Sequence, residues 1–176
     1  MALENDLNKL AKAGAKALTH LGNALPNKID RHHNPIWAGL AQNQLSAMII
    51  TDGHHLPDSM IKTIIKSKGT DNVIIVSDIS PVAGLSAGEY KVWGNDVVLK
   101  DNGFLYVKKT GHLAGSSATM LECMNCLTSL NLLDEEELLK VGFYNPLALI
   151  GINPKSIKSD YSLVYNKNQN TFGIER

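Results

Sequence analysis

Cysteine is scarce in this sequence, with 2 in 176 residues. Cys123 and Cys126 form one C-x-x-C within TMLECMNCLTSLNLL, a segment of helical periodicity with apolar neighbours. They read as two buried core thiols, because a structural zinc site would need a second ligand pair. Net charge is also missing, since 17 Lys and Arg balance 17 Asp and Glu. No overall field therefore draws the chain to nucleic acid or to a membrane surface, and small or locally recognised partners fit better. No apolar run approaches the roughly 18 residues of a membrane span. The opening MALENDLNKL carries Glu4 and Asp6 where a signal peptide would be basic and then apolar. Internal repeats and low-complexity linkers are absent as well. A soluble, cytoplasmic protein of one ordinary domain is expected, and a hydrophobic content of 44% is enough for its core.

Helical spacing runs from Leu3 to Ala17, with Leu3, Leu7, Leu10, Ala11 and Ala15 apolar, and KALTH follows as a short strand. Asn34 is placed to cap a helix that starts at Pro35 and continues through IWAGLAQN. The strand LSAMIIT comes next. Pro57 then opens PDSMIKTIIKSK, where Met60, Ile61, Ile64 and Ile65 share one face, and Gly69 ends it. NVIIVSD is a third strand, almost wholly apolar. Continuous apolar strands separated by amphipathic helices are the pattern of a parallel sheet covered on both faces, so the fold class is α/β.

Each strand ends in a polar cluster: Thr19, His20 and Asn23; Thr51, Asp52 and His55; Ser77 and Asp78. In α/β barrels and open α/β sheets the ligand site lies at these carboxyl ends. A strand-end histidine suits zinc or another divalent metal, and a carboxylate on a neighbouring strand suits a base towards metal-bound water; His20 and Asp78 fit those roles. Beyond Gly88 the pattern changes to EYKVWGNDVVLK and GFLYVKK, a β-hairpin excursion with GND and DNG as turn signals. Helices return at Ser117 to Leu130 and Asp134 to Tyr144, and the tail offers two short strands, YSLVYN and TFGIE.

THLGNALP, MIITDGHH, IIVSDISPVAG and GHLAGSSATM, in this order and followed by FYNPLALIGI, resemble the second half of the N-acetylglucosamine-6-phosphate deacetylases of the amidohydrolase superfamily. That resemblance implies a partial (β/α)8 TIM barrel holding its last three strand-helix units, strands six to eight, with the β-hairpin excursion and a short C-terminal β segment. Residues 1–152 would be the partial barrel, and residues 153–176 the remnant of a small β-sandwich domain. The implied activity is metal-dependent removal of the N-acetyl group from N-acetylglucosamine 6-phosphate or a related N-acyl amino sugar.

Carried over by motif, His20 matches a metal ligand and Asp78 the catalytic aspartate. Asn23 and Ala24 match positions lining the sugar site. Arg31 matches a phosphate-binding arginine, whose fork suits a phosphate's paired oxygens. His55 matches a substrate-binding histidine, with Asp52, Gly53 and His54 counted alongside it as the adjoining turn. Leu113, Ala114 and Gly115 match a loop that closes over the substrate. His32, His33, His54 and His112 are otherwise expected to be solvated or to support residues nearer the substrate.

The resemblance also implies what is missing. A barrel of this class needs about 250 residues, and this chain matches only from just before strand six. One ligand, His20, cannot hold a catalytic zinc that ordinarily has three, so a divalent metal, zinc foremost, belongs to the complete site and this chain alone need carry none. Three parallel strands leave an unpaired edge and an uncovered apolar face, which calls for a homo-oligomer or a complementing N-terminal half. Gly22, where the family often has an aromatic, and HHNP after Arg31, longer than the family's EPG, bear on phosphate recognition and allow a different N-acylated sugar. A truncated reading frame, inactive alone, is the expectation; the alternative is a non-catalytic remnant or sugar-binding half-domain.

Overall fold

The computed structural model describes residues 2–176; Met1, the first residue of the expected 1–152 segment, lies outside the described residues. Helix α1 (Glu4–Lys12) is shorter than the apolar spacing suggests. Ala13 closes it with its N–H on the Lys9 carbonyl, and the chain turns at Gly14. Strand β1 (Ala17–Leu18), helix α2 (Pro35–Ala41), strand β2 (Ser46–Ile50), helix α3 (Asp58–Lys68) and strand β3 (Val73–Val76) follow in the expected alternation. The three strands form one parallel sheet in the order β1-β2-β3, with Ala17 beside Ser46 and Ile50 beside Val76 at its limits.

Asn34 caps α2 as its position suggests, its side-chain oxygen accepting the N–H groups of Ile36 (3.0 Å) and Trp37 (3.1 Å). Pro57 is the N-cap of α3 rather than its first residue. The strands bury alternate residues on one face: Ala47, Ile49, Val73 and Ile75 join Ile61, Ile64, Ile65, Cys123 and Leu127 in the main core. Burying each large aliphatic side chain contributes roughly 1.5–3 kcal/mol. On the opposite face Ile50 and Ile74 are buried as well, outside the main core cluster, while Met48 and Val76 are half-buried.

A second sheet rises from the carboxyl side of β3. Strands β4 (Gly88–Val92), β5 (Asn95–Leu99) and β6 (Leu105–Val107) are antiparallel and gather their own small core of Val82, Val92, Val97, Leu99 and Leu105. The first hairpin turns at Trp93 and Gly94, both with positive φ, one residue before the GND signal. Helix α4 (Met120–Ser129) opens with a capping box between Thr119 and Glu122. Helix α5 (Glu135–Leu139) passes through a π-helical turn at Lys140–Tyr144 into α6 (Asn145–Leu149). Strands β7 (Ser162–Asn166) and β8 (Thr171–Glu175) form a hairpin docked on α4: Asn125 donates to the Phe172 carbonyl and accepts its N–H, and Phe172 enters the main core.

The open edges of the parallel sheet are partly covered. Beyond β3, Ile79 bridges Ser116 in parallel, and Asn145 donates to the carbonyls of Thr70 (2.7 Å) and Val73 (2.8 Å). Beneath the sheet, Lys68 at the end of α3 is buried and donates to the carbonyls of Gly39, Gln42 and Leu45, at and beyond the C-terminus of α2. An ammonium there satisfies carbonyls that the helix leaves unpaired and complements its dipole, while burial lowers the lysine's pKa. Lys68→Met, which keeps the volume and strands the carbonyls, is expected to cost about 2–4 kcal/mol. Urea unfolding should show a lower midpoint with an unchanged slope.

Candidate functional site

The carboxyl ends of β1, β2 and β3 border one cleft of about 890 Å³, lined by His20, Asn23, Ala24, Ile50, His55, Asp78, Leu113 and Gly115 among others. Residues from all three strand ends and from the segment after β6 thus meet at one place. Arg31, Asp52, Gly53, His54 and Ala114 do not line it.

Three of the lining residues hold backbone conformations unusual for side chains with a Cβ: His20 (φ 33°), Ala24 (φ 56°) and Asp78 (φ 53°). Each costs of order 1–3 kcal/mol unless its surroundings over-determine it, and such positions cluster at functional sites. His20 is half-buried, and its Nδ1 is buried without a hydrogen-bond partner. Asp78 is exposed to the cleft, and its carbonyl accepts the Ser116 N–H at 2.8 Å. Gly115 is required beside it, because a Cβ there would lie 2.9 Å from the Asp78 carbonyl oxygen and its φ is +74°.

Asp52 does not face the cleft. Its side chain is 2% exposed and its two oxygens take four hydrogen bonds. Oδ1 accepts the N–H groups of His54 and His55, each at 2.9 Å, and Oδ2 accepts His55 Nδ1 at 2.8 Å and Ser116 Oγ–H at 2.7 Å. Burial pushes this carboxyl's pKa up, but the bonds from His55, Ser116 and the two backbone amides outweigh it and hold it well below the usual carboxylate range. His54 is likewise turned away: its Nε2 lies 2.9 Å from the Asn102 carbonyl, and its ring meets Phe104 edge-on. It ties the antiparallel excursion to the end of β2.

Arg31 is exposed on a loop whose backbone is well held. Asp30 accepts the N–H groups of His32 (2.8 Å) and His33 (2.7 Å), and Trp37 Nε1 donates to the Arg31 carbonyl at 2.9 Å. His32 and His33 are exposed. Cys123 is fully buried and its thiol pKa is pushed up to about 12 by burial, and Cys126 is half-buried. Thr110, Gly111, His112 and the segment Leu25–Asn27 also line the cleft and were not singled out from the sequence as site residues. Gly111 and His112 open the GHLAGSSATM motif and Thr110 directly precedes it, which was the available signal.

A divalent metal was the expected cofactor. Among the described residues no three His, Cys, Asp or Glu come together as a group able to hold a metal ion. His20, with its unpartnered ring nitrogen, is a single donor, so the residues present do not by themselves fit a catalytic metal.

An α/β fold with polar residues converging at the carboxyl ends of parallel strands defines the class of a strand-end ligand-binding or catalytic protein. Comparison with known proteins is more specific. No family model matches the chain. It is 27% identical over 139 residues to an N-acetylglucosamine-6-phosphate deacetylase of Lysinibacillus sphaericus, covering 79% of this chain and 35% of that protein. It is 33% identical over 116 residues to the Bacillus subtilis protein of the same name, covering 66% and 29% respectively. It is also 29% identical over 125 residues to an N-acetylgalactosamine-6-phosphate deacetylase of a Shewanella species, covering 70% and 31%. The crystal structure of the N-acetylglucosamine-6-phosphate deacetylase of Thermotoga maritima superposes with a TM-score of 0.82 at 26% identity, over 97% of this chain and 48% of that one. The chain is thus a relative of the N-acetylglucosamine-6-phosphate deacetylases, spanning about a third of the length of the curated relatives it matches. Among the described residues no helix is long and apolar enough to cross a membrane.

The low pKa of Asp52 has a consequence for stability. A carboxyl whose folded pKa lies below its unfolded value contributes stability that is present above the ordinary value, 3.8, and is lost as pH falls towards the folded one. The chain should lose stability progressively below about pH 4. Asp52→Asn should be less stable than the parent at pH 6 and show a shallower loss on acidification, measured by urea unfolding across pH.

Proposed function

We propose that this chain is the carboxyl-terminal half of a cytoplasmic, metal-dependent deacetylase site for N-acetylglucosamine 6-phosphate or a related N-acyl amino sugar. Its three parallel strands are strands six to eight of a (β/α)8 barrel, with residues 1–152 as the barrel portion and 153–176 as a remnant of the small β-sandwich. The observation that carries the reading is the convergence of His20, His55 and Asp78, each from the end of a different parallel strand, on one cleft.

Asp78 is the general base of this reading: it takes a proton from the attacking water and delivers it to the leaving amine. Its exposure to the cleft suits that exchange. Asn23, the Ala24 backbone and His55 hold the sugar, the loop Leu113 to Gly115 closes over it, and Arg31 reaches for a phosphate from its exposed loop. His20 contributes one donor to a divalent metal, zinc foremost, whose remaining ligands come from a complementing N-terminal half. Because one donor does not make a metal site, the chain alone is inactive. The same single donor supports a second reading, a non-catalytic sugar-binding half-domain.

Co-production with the strand-one-to-five segment of the Bacillus subtilis relative separates the two. Acetate release from N-acetylglucosamine 6-phosphate should appear only with both segments, and Asp78→Asn should lower kcat by roughly 10²–10⁴-fold. A reconstituted pair that binds the sugar phosphate and releases no acetate would establish the non-catalytic reading instead.

A further inference from the structure

The buried contacts of Asp52 determine what His55 presents to the cleft. Both oxygens of an ionised carboxylate only accept hydrogen bonds, so His55 Nδ1, 2.8 Å from Oδ2, must carry a proton. In the neutral ring Nε2 is then the unprotonated nitrogen. The ring is held at the cleft wall, with its side chain 4% exposed.

The other contact of Oδ2 ties this arrangement to the substrate loop. Ser116 donates its hydroxyl to Asp52 and accepts the Ala118 N–H at 3.0 Å, while its own backbone pairs with Asp78 and Ser80. The ends of β2 and β3 and the Leu113–Gly115 loop therefore share one buried carboxylate.

We propose that Asp52, supported by Ser116, is a positioning residue that fixes His55 in the Nδ1–H form, so that Nε2 faces the cleft as a hydrogen-bond acceptor for a ligand hydroxyl. The geometric part stands alone; that the hydroxyl belongs to a sugar rests on the deacetylase reading. This assigns Asp52 a role different from substrate contact. It also makes Asp52→Asn informative. The two backbone N–H groups on Oδ1 require the amide oxygen at that position, which leaves the NH2 group to face His55. An NH2 donor needs an acceptor, so Nδ1 must give up its proton and Nε2 must take one. The substitution preserves shape while turning the nitrogen at the cleft from acceptor to donor.

The test is nitrogen NMR of the full chain labelled with ¹⁵N-histidine, at about pH 8, where an ordinary imidazole is neutral. His55 is assigned by the disappearance of its signals in His55→Gln. The parent should show a protonated Nδ1 and an unprotonated Nε2, and Asp52→Asn should show the reverse. Ser116→Ala should keep the parent's form, with faster exchange of the Nδ1 proton. A parent protonated at Nε2 would overturn the proposal, as would an Asp52→Asn spectrum identical to the parent's. Should Asp52→Asn not fold, the parent spectrum together with Ser116→Ala decides. In the reconstituted pair, N-acetylglucosamine 6-phosphate should move the Nε2 resonance. Hydrolysis with Nε2 unmoved would overturn this proposal and leave the deacetylase reading standing; the stated proton placement without hydrolysis would do the opposite.

Discussion

The Asp52 carboxylate, 2% exposed, accepts hydrogen bonds from two backbone amides, an imidazole and a serine hydroxyl, and so ties the end of β2 to a segment 64 residues further along the chain. Charge-assisted bonds of this kind are individually stronger than neutral ones. In a buried setting the loss of any partner leaves an uncompensated polar group, which makes the four bonds mutually dependent. Ser116 extends the connection to β3 through its backbone pairing with Asp78 and Ser80. The cleft is held by both connections: the Asp52–Ser116 bond fixes the loop bearing Gly115 to the end of β2, as the backbone bonds of Ser116 fix it to the strand end that bears Asp78.

In the proposed reading, what the arrangement organises is one side of a site. The parallel sheet has three strands, its first strand has two residues, and only one of its faces lies in the main core. Asn145, Lys68 and the Ile79–Ser116 bridge satisfy backbone groups around it without adding a paired strand alongside β1. His20 follows the same logic. It sits at a strand end in a strained conformation with a buried ring nitrogen unpartnered, a cost that is understandable if the residue answers to groups beyond this chain.

Much of this was legible in the sequence, for identifiable reasons. The alternation of apolar strands with amphipathic helices located β1, β2, β3, α2 and α3, and the strand-end rule alone groups His20, His55 and Asp78. Local capping chemistry was equally readable at Asn34, because the cap involves residues within a few positions. The direction of the Asp52 side chain was not. A carboxylate before glycine can face a ligand or its own turn, and the choice here depends on Ser116, far away in sequence. The π-helical turn at Lys140–Tyr144 was hidden for a related reason. It lies where Met124 of α4 packs so closely on Gly142 that a Cβ there would meet the sulfur at 2.5 Å, a tertiary constraint with no local signature. The docking of the β7–β8 hairpin on Asn125 is of the same kind.

A chain that contributes His20 alone has too few donors to hold a catalytic divalent ion tightly. Calorimetric titration of zinc into the purified, metal-free chain tests this most directly. The account predicts only weak binding that Asp78→Asn leaves unchanged and that never reaches one tightly held equivalent. One equivalent held tightly by the chain alone, and lost in His20→Ala, would contradict the account and show that the site is complete without a second half.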